Sequence, residues 1–95
     1  MRGWTYILEC ADGTYYVGST NDIRRRISEH HTGKGGVYTS ARLPVILRAK
    51  FEFATVEEAF HFEHQIKKWS KAKKEALIEG RFDDLHTLAK KKFVK

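Results

Sequence analysis

Five side chains spread along the sequence have types that can perform chemistry. They are two phenols (Tyr6 and Tyr16), a guanidinium (Arg26), an imidazole (His30) and a carboxylate (Glu63). A guanidinium grips anions through its planar fork, phenols and imidazoles transfer protons, and a carboxylate is a hard oxygen ligand for Mg²⁺ or Mn²⁺. The first four lie in one short stretch, which we interpret as half of an active site.

The turn between two predicted strands decides whether the two phenols share a face. Residues 3–10 and 14–17 are rich in aromatic and β-branched types and predict two strands, and Ala-Asp-Gly between them predicts a hairpin turn. A two-residue loop would place Tyr6 and Tyr16 on opposite faces, because side chains alternate along a strand. A three-residue loop with a left-handed glycine pairs residue 8 with residue 16 and places both phenols on one face. We predict the three-residue loop.

The next element is a helix that carries the guanidinium and the imidazole. Asn21 is the predicted N-cap of a helix that runs to about His31. In helical projection Arg26 and His30 lie one turn apart beside the apolar stripe. The two arginines before them, at positions 24 and 25, are predicted to face solvent.

A later helix carries the carboxylate on its apolar side. Thr55 and Glu58 form a capping box, which predicts a helix from residue 56 to about Trp69. Its predicted apolar arc consists of Ala59, Phe60, Phe62, Ile66 and Trp69. Glu63 falls inside this arc, where a carboxylate is costly unless a metal ion, a cation or several hydrogen-bond donors meet it.

The remaining segments are predicted more briefly. Residues 32–43 form a flexible basic loop without the spacing of a P-loop, and a third strand starts near Val45. A short basic helix is predicted over 70–80, ending at a glycine, and another over 83–92 before a frayed tail.

Length and charge indicate a single domain with a polyanionic partner. Ninety-five residues suffice for one core, which we place at 3–80, with a basic helical extension over 81–95. Residues 67–95 hold ten Lys and Arg against four Asp and Glu, and a second basic excess spans 21–50. Two basic zones on a small domain suit nucleic acid, although a basic surface without a partner has the same composition.

Cysteine content and hydropathy predict where the protein resides. Cys10 is the single cysteine and cannot form an internal disulfide, which favours a reducing, cytoplasmic location. No apolar run approaches the roughly 20 residues that span a bilayer, so no membrane partner is expected.

Two short motifs give the chain a resemblance to a known family. Trp4-Thr5-Tyr6 stands where the GIY-YIG nuclease superfamily carries GIY, and Tyr16-Val17-Gly18 stands where it carries YIG. The chain, from position 4 to about position 80, resembles the small stand-alone bacterial members, which are similar to the catalytic domain of the bacterial excinuclease. The resemblance implies an α+β fold, a three-stranded antiparallel sheet flanked by helices. It also implies a metal-dependent endonuclease that hydrolyses nucleic-acid phosphodiesters.

The same resemblance implies a role for each candidate residue. Tyr6 and Tyr16 are the implied site tyrosines, Arg26 the arginine, His30 the second helix residue, and Glu63 the ligand of one Mg²⁺ or Mn²⁺ ion. An imidazole with an unperturbed pKa near ~6.5 suits a proton relay. Structural readings stay open, because the tyrosines can be ordinary sheet aromatics and Glu63 can form a salt bridge with Arg26.

One position departs from the excinuclease domains in a way that bears on activity. Ser19 stands where those domains carry Lys, so a cation is missing there. Two consequences stay open: activity is weaker, or another basic residue, such as Lys34 or Arg42, substitutes for it.

Other residues are predicted to bind nucleic acid or to shape the backbone. The basic loop offers Lys34, Tyr38 and Arg42 for contacts with phosphates and bases, and a solvated loop without such contacts fits the sequence equally well. The predicted solvated face of the later helices, which can also track phosphates, consists of Lys67, Lys68, Lys71, Lys73 and Lys74. Gly18 has a structural role, because close packing or a chain reversal there tolerates no side chain.

DNA is favoured over RNA as the substrate, with a function in DNA repair and a protein partner that supplies specificity. The alternative function is a non-catalytic nucleic-acid-binding module on the same scaffold. A third, less favoured reading is a small interaction protein whose basic face binds an acidic partner.

Overall fold

The computed structural model describes residues 1–81, and the helix predicted over 83–92 and the tail after it lie outside them. The elements are β1 (Gly3–Glu9), β2 (Tyr15–Thr20), α1 (Ile23–His31), α2 (Val37–Ser40), β3 (Ile46–Phe53), α3 (Val56–Ile66) and α4 (Lys71–Ile78). Within the described part of the chain, three strands form one antiparallel sheet in the order β2-β1-β3. The predicted α+β fold, a three-stranded antiparallel sheet flanked by helices, is confirmed.

The hairpin of β1 and β2 has the predicted three-residue turn. Leu8 pairs with Tyr16 and Tyr6 pairs with Gly18. The turn is closed by a hydrogen bond of 2.8 Å from the Cys10 amide to the Thr14 carbonyl oxygen, and the glycine within it has a φ of 84°. This register places the two phenols on the same face of the sheet, as predicted.

The two faces of the sheet are covered by different helices. Tyr6 and Leu8 pack on one face with apolar residues of α1. Ile7 and Val17 pack on the other face with residues of α3 and α4, including Ile66. The phenols therefore lie on the α1 side of the sheet, whereas Glu63 belongs to a helix on the opposite side.

The N-cap of α1 is Asp22, so the prediction of Asn21 was wrong by one residue. A carboxylate oxygen of Asp22 accepts a hydrogen bond of 3.1 Å from the Arg25 amide, and the backbone of Asp22 is extended. Asn21 and Asp22 are both good capping residues, and only the path of the chain after β2 selects between them.

Three further details differ from the predictions. The predicted loop over 32–43 contains the short helix α2. Helix α3 ends at Ile66 rather than near Trp69, because the chain turns there and Ser70 caps α4. Phe60, predicted to be in the apolar arc, is 50% exposed and contacts the ring of His64 instead.

The capping box of Thr55 and its partner three residues on has both predicted hydrogen bonds.

Candidate active site

Tyr6 and Tyr16 come together on the α1 face of the sheet. Their ring centroids lie 6.4 Å apart. Tyr6 is 1% exposed, whereas Tyr16 is half-buried and lines an open cleft. Tyr16 is thus the phenol that solvent can reach, and Tyr6 is covered.

Gly18 makes this arrangement of the phenols sterically feasible. The Tyr6 side chain crosses β2 directly over Gly18, and a Cβ atom at position 18 would lie 2.6 Å from Tyr6 Cζ. Real Cβ atoms essentially never come this close to a neighbour. The glycine is therefore required by close packing, which was one of the two structural reasons predicted for it.

His30 forms a hydrogen bond with the Tyr6 hydroxyl. Its Nε2 lies 2.8 Å from the Tyr6 hydroxyl oxygen, and its Nδ1 lies 2.9 Å from the Thr39 hydroxyl oxygen. The His30 side chain is fully buried. Burial, together with the nearby Arg26 charge, lowers the pKa of His30 to about 4. A proton relay with an unperturbed pKa therefore does not describe this imidazole, which is neutral at physiological pH.

Arg26 lies beside Tyr6 with a half-buried side chain. Its guanidinium donates hydrogen bonds of 3.0 Å to a Glu29 carboxylate oxygen and 3.1 Å to the Gly35 carbonyl oxygen. The presence of Arg26 also acts to lower the pKa of Tyr6, against the effect of burial. The open alternative of a salt bridge between Arg26 and Glu63 is absent among residues 1–81, since the carboxylate partner of Arg26 is Glu29.

The protonation state of Tyr6 follows from these neighbours. Burial, and to a smaller extent the neighbouring Tyr16, raises the pKa of Tyr6 to about 12, while the guanidinium of Arg26 acts in the opposite direction. Tyr6 therefore keeps its proton at neutral pH and can act as a hydrogen-bond donor.

Glu63 reaches the same site around the edge of the sheet. Strand β2 is an edge strand, and the Ser19 hydroxyl on it donates a hydrogen bond of 2.6 Å to Glu63 Oε1. The Lys67 ammonium group lies 3.8 Å from Glu63 Oε2, and the side chain of Glu63 is 14% exposed. A cleft of about 380 Å³ is lined by Tyr15, Tyr16, Val17, Tyr38, Glu63, Lys67, Lys68 and Lys74. Tyr16 and Glu63 thus line one cleft from opposite sides of β2.

The donor set in this cleft fits a hard divalent ion. Within the described residues no group of three or more His, Cys, Asp or Glu side chains could hold a metal ion, so a closed zinc site is not present there. Mg²⁺ needs fewer protein ligands, because it keeps several waters and is commonly bound by one or two carboxylates together with substrate phosphates. Glu63, beside a cleft and with a largely buried carboxylate, is suited to that role.

The residues predicted to bind nucleic acid are distributed unevenly around the cleft. Lys67 lines it, whereas the Lys71 ammonium group lies 5.7 Å from the Tyr15 ring, outside the lining. Tyr38 lines the cleft and lies 5.9 Å from the ring of Tyr16. The Arg42 guanidinium covers the Tyr38 ring at 3.8 Å. Lys34 is exposed and lies outside the lining.

The lysine face predicted for α3 and α4 is not uniformly exposed. Lys73 is 8% exposed and its ammonium group lies 4.1 Å from the centre of the Trp69 ring, so it packs rather than tracks phosphates. Lys68 and Lys74 line the cleft, and burial lowers the pKa of Lys74.

Three contributors to the site were missed or misread in the sequence. Thr39 contacts His30, Gly35 accepts from Arg26 and packs on the His30 ring, and Ser19 binds Glu63. Ser19 was identified only as a departure from a family pattern, and the glycine run around Gly35 only as a loop. Thr39 gave no signal, since its partner is nine positions away in the sequence and meets it only after folding.

The buried neutral His30 should make the fold sensitive to acid. The pKa of His30 is about 4 in the folded protein and 6.5 for the free side chain, so between these pH values only the unfolded chain takes up the proton. The free energy of unfolding should therefore fall as the pH decreases through this window, by on the order of 3 kcal/mol for this group. Urea denaturation at several pH values measures the effect.

An exposed histidine on α3 provides the control. His30→Gln should flatten the pH dependence between 6.5 and 4, whereas His61→Gln should leave it as in the wild type. Equal slopes in the wild type and in His30→Gln would contradict the assignment of a neutral, buried imidazole.

The chain belongs to the GIY-YIG family, since residues 2–76 match the family model described as the GIY-YIG catalytic domain. This is a nuclease family, whose members act on nucleic acids, generally with a divalent metal ion.

Among the relatives are small stand-alone proteins of the UPF0213 group. The chain is 50% identical over 73 residues to a UPF0213 protein of Halobacterium salinarum, and the match covers 77% of this chain and 95% of that protein. It is 46% identical to the UPF0213 protein BH0048 of Halalkalibacterium halodurans, over 82% of this chain and 83% of that protein.

Solved structures support the same grouping. The solution NMR structure of the UPF0213 protein BH0048 from Bacillus halodurans matches with a TM-score of 0.55 and 46% identity, over 83% of this chain and 84% of that chain. The solution NMR structure of the protein EF2693 from E. faecalis matches with a TM-score of 0.58 and 35% identity, over 86% of this chain and 88% of that chain. No helix within residues 1–81 has both the length and the apolar character needed to cross a membrane.

Proposed function

We propose that this protein is a metal-dependent endonuclease that hydrolyses phosphodiester bonds of nucleic acid in the cleft at the β2 edge. The observation that carries the proposal is that Tyr16 and Glu63, which come from opposite faces of the sheet, line the same cleft. Tyr6, a protonated phenol, and Arg26, a guanidinium, lie on the buried side of Tyr16. A purely structural cluster has no need for an open cleft between a phenol and a carboxylate.

Phosphodiester hydrolysis sets the requirements that these residues meet. The reaction needs an activated water and stabilisation of the negative charge that gathers on the phosphate and on the leaving oxygen. Glu63 would hold Mg²⁺ or Mn²⁺, and the bound ion supplies Lewis-acid stabilisation of that charge. Arg26 supplies a permanent positive charge and a planar fork suited to phosphate oxygens, although in this structure the fork donates to Glu29 and Gly35 and lies outside the cleft lining.

The two phenols have different roles in the proposed mechanism. Tyr16 lines the cleft and takes the proton of the attacking water, for which its phenolate form is required. Tyr6 keeps its own proton because its pKa is about 12, so it is available as a hydrogen-bond donor that would stabilise a Tyr16 phenolate. His30 is buried and neutral, and it holds Tyr6 in place rather than relaying protons to solvent.

The cation missing at Ser19 is best replaced from the α3 and α4 side of the cleft. Lys67, Lys68 and Lys74 all line it. The two substitutes expected from the sequence are less well placed, because Lys34 lies outside the cleft lining and Arg42 is held by Asp12 at 3.1 Å. Ser19 itself is engaged with Glu63.

The biological setting is proposed on more general grounds. We favour DNA over RNA as the substrate and DNA repair as the setting, by similarity to the excinuclease catalytic domain. A protein partner would supply specificity. A cytoplasmic location agrees with the free thiol of Cys10.

A second candidate function is a nucleic-acid-binding module without catalysis. The contacts of Glu63 favour it. Its carboxylate already accepts a hydrogen bond from Ser19 and pairs with the ammonium group of Lys67, as it would if its role were only structural. The basic cleft would then hold a strand without cleaving it.

Plasmid nicking with a matched pair of glutamate variants separates these functions. Supercoiled plasmid and single-stranded DNA are incubated with the wild type, Glu63→Gln and Glu57→Gln, in Mg²⁺ or in EDTA. The second variant removes an exposed carboxylate from the same helix. We expect metal-dependent nicking by the wild type and by Glu57→Gln, and a loss of roughly 100-fold or more in Glu63→Gln, the scale seen when a main source of transition-state charge stabilisation is removed.

The other outcomes identify the alternatives. Salt-sensitive binding that persists in Glu63→Gln, without nicking by any variant, would establish the binding module. An absence of binding even at low salt would contradict both functions and would leave an acidic protein partner for the basic face.

A further inference from the structure

A chain of three buried polar side chains runs behind the reactive phenol. The Thr39 hydroxyl oxygen lies 2.9 Å from His30 Nδ1, and His30 Nε2 lies 2.8 Å from the Tyr6 hydroxyl oxygen. The exposed fractions of Thr39, His30 and Tyr6 are 1%, 0% and 1%. A Cβ atom at Gly35 would lie 2.6 Å from His30 Cγ, so this side of the imidazole is tightly covered. Both ring nitrogens thus have a single hydroxyl partner in a site closed to solvent.

The number of protons in the chain restricts how these bonds are made. A neutral imidazole carries one N–H, on one nitrogen or the other, and each hydroxyl carries one O–H. Three protons are therefore available for two hydrogen bonds, and one hydroxyl proton must point elsewhere. Which hydroxyl this is depends on the tautomer of His30.

The two tautomers leave different protons without a partner. With the proton on Nδ1, the ring donates to Thr39, and the Thr39 proton has no other acceptor within the described residues. With the proton on Nε2, Thr39 donates to Nδ1 and the ring donates to Tyr6. The Tyr6 proton is then not used in the bond to His30 and can point towards the Tyr16 ring.

Arg26 does not change this choice. Its guanidinium donates to Glu29 and to the Gly35 carbonyl oxygen, and a guanidinium has no acceptor, so it cannot take the Tyr6 proton. The proton of Tyr6 still needs an acceptor, either His30 Nε2 or a group on the side of Tyr16. The Thr39 and Tyr6 hydroxyls are equally buried, but Thr39 bonds only to His30 within the described residues, whereas Tyr6 lies beside Tyr16, a polar side chain that lines the cleft.

We propose that Thr39 is a positioning residue whose hydroxyl donates to His30 Nδ1, fixes the ring proton on Nε2 and thereby directs the Tyr6 hydroxyl proton towards Tyr16. The catalytic consequence rests on the proposed function, since a directed Tyr6 proton matters only if Tyr16 becomes a phenolate. The tautomer itself is independent of any activity.

Side-chain ¹⁵N NMR of the full chain at pH 7 measures the tautomer directly. We expect a pyrrole-type signal for His30 Nε2 and a pyridine-type signal for Nδ1, with the latter displaced by the hydrogen bond from Thr39. Thr39→Val, which keeps the shape and removes the hydroxyl, should remove this displacement, and Thr39→Ser should restore it. A protonated Nδ1 in the wild type, or an Nδ1 signal unaffected by Thr39→Val, would overturn the proposal.

Kinetics add a measurement that a merely structural role would not reproduce. Thr39→Val should lower kcat roughly 10-fold with little change in KM, and Thr39→Ser should recover it, because only the orientation of a proton has changed. Thr32→Val serves as the control, since Thr32 is exposed and its hydroxyl donates to α1 carbonyl oxygens.

The two proposals fail in different ways. A wild-type protein that shows the Nε2-protonated tautomer but cleaves no DNA contradicts the proposed function and leaves the hydrogen-bond assignment intact. A wild-type protein that cleaves DNA with the proton on Nδ1 contradicts the role of Thr39 alone.

Discussion

Replacing Tyr16 by phenylalanine should slow DNA cleavage by roughly 10²–10⁴-fold, the usual contribution of a positioned proton acceptor. The substitution removes only the hydroxyl group from the cleft. The Phe ring can keep the contacts that the Tyr16 ring makes with His30 at 5.3 Å and with Tyr38 at 5.9 Å. Single-turnover cleavage of a labelled DNA measures the rate, and salt-dependent binding of the same DNA should change little.

The neighbouring tyrosine supplies a control on the same strand. Tyr15 also lines the cleft, but it points to the opposite face of the sheet from Tyr16, and its hydroxyl is engaged in a hydrogen bond of 3.1 Å to Glu75. Tyr15→Phe should lose some stability and keep the cleavage rate. Near-wild-type cleavage by Tyr16→Phe, with a larger loss in Tyr15→Phe, would exclude Tyr16 as the proton acceptor.

A single methyl group at Gly18 should damage both stability and activity. The added Cβ would lie 2.6 Å from Tyr6 Cζ, and the Tyr6 phenol has no room to retreat because it is 1% exposed and held by His30. Overpacking of this kind typically costs about 1–3 kcal/mol. At an ordinary strand position the same change would instead stabilise by about 0.5–1 kcal/mol. Urea denaturation of Gly18→Ala measures whether the free energy of unfolding falls or rises. Displacement of Tyr6 should also reduce the rate of DNA cleavage.

A double-mutant cycle tests the stated cause of this effect. Tyr6→Leu removes the outer part of the ring, so Gly18→Ala should cost little in that background, and the two changes should be strongly non-additive. An equal cost of Gly18→Ala with Tyr or with Leu at position 6 would show that the backbone of β2, and not the phenol, requires the glycine.

The sheet register could be predicted from the sequence because it depends on a local choice. Once the turn has three residues, the alternation of side chains fixes that Leu8 faces Tyr16, and the faces of all other strand residues follow. The capping box at Thr55 was equally local. The helix ends were harder to predict. Asn21 and Asp22 offer the same capping chemistry, and only the path of the chain after β2 selects between them.

The candidate site was predictable in its main members and not in their partners. Helical periodicity places Arg26 and His30 on the buried side of α1, and the register places the phenols. The partners Thr39 and Ser19 are polar residues whose contacts form only in the folded chain. No spacing in the sequence therefore predicts these contacts. The short helix α2 that carries Thr39 has no side-chain N-cap and follows a glycine run, which in sequence has the features of a loop.

Hydrolysis in this cleft is tested most directly by single-turnover cleavage of labelled DNA in water enriched in ¹⁸O, with protein in excess and Mg²⁺ present. Attack of water on phosphorus places one solvent oxygen on the phosphate of the product, and DNA lacks the 2′-hydroxyl that could attack in its place. We expect one ¹⁸O atom per product phosphate with the wild type, no product in EDTA, and product formed roughly 100-fold or more slowly with Glu63→Gln. Intact DNA after incubation with the wild type, or product phosphate without ¹⁸O, would contradict phosphodiester hydrolysis at this site.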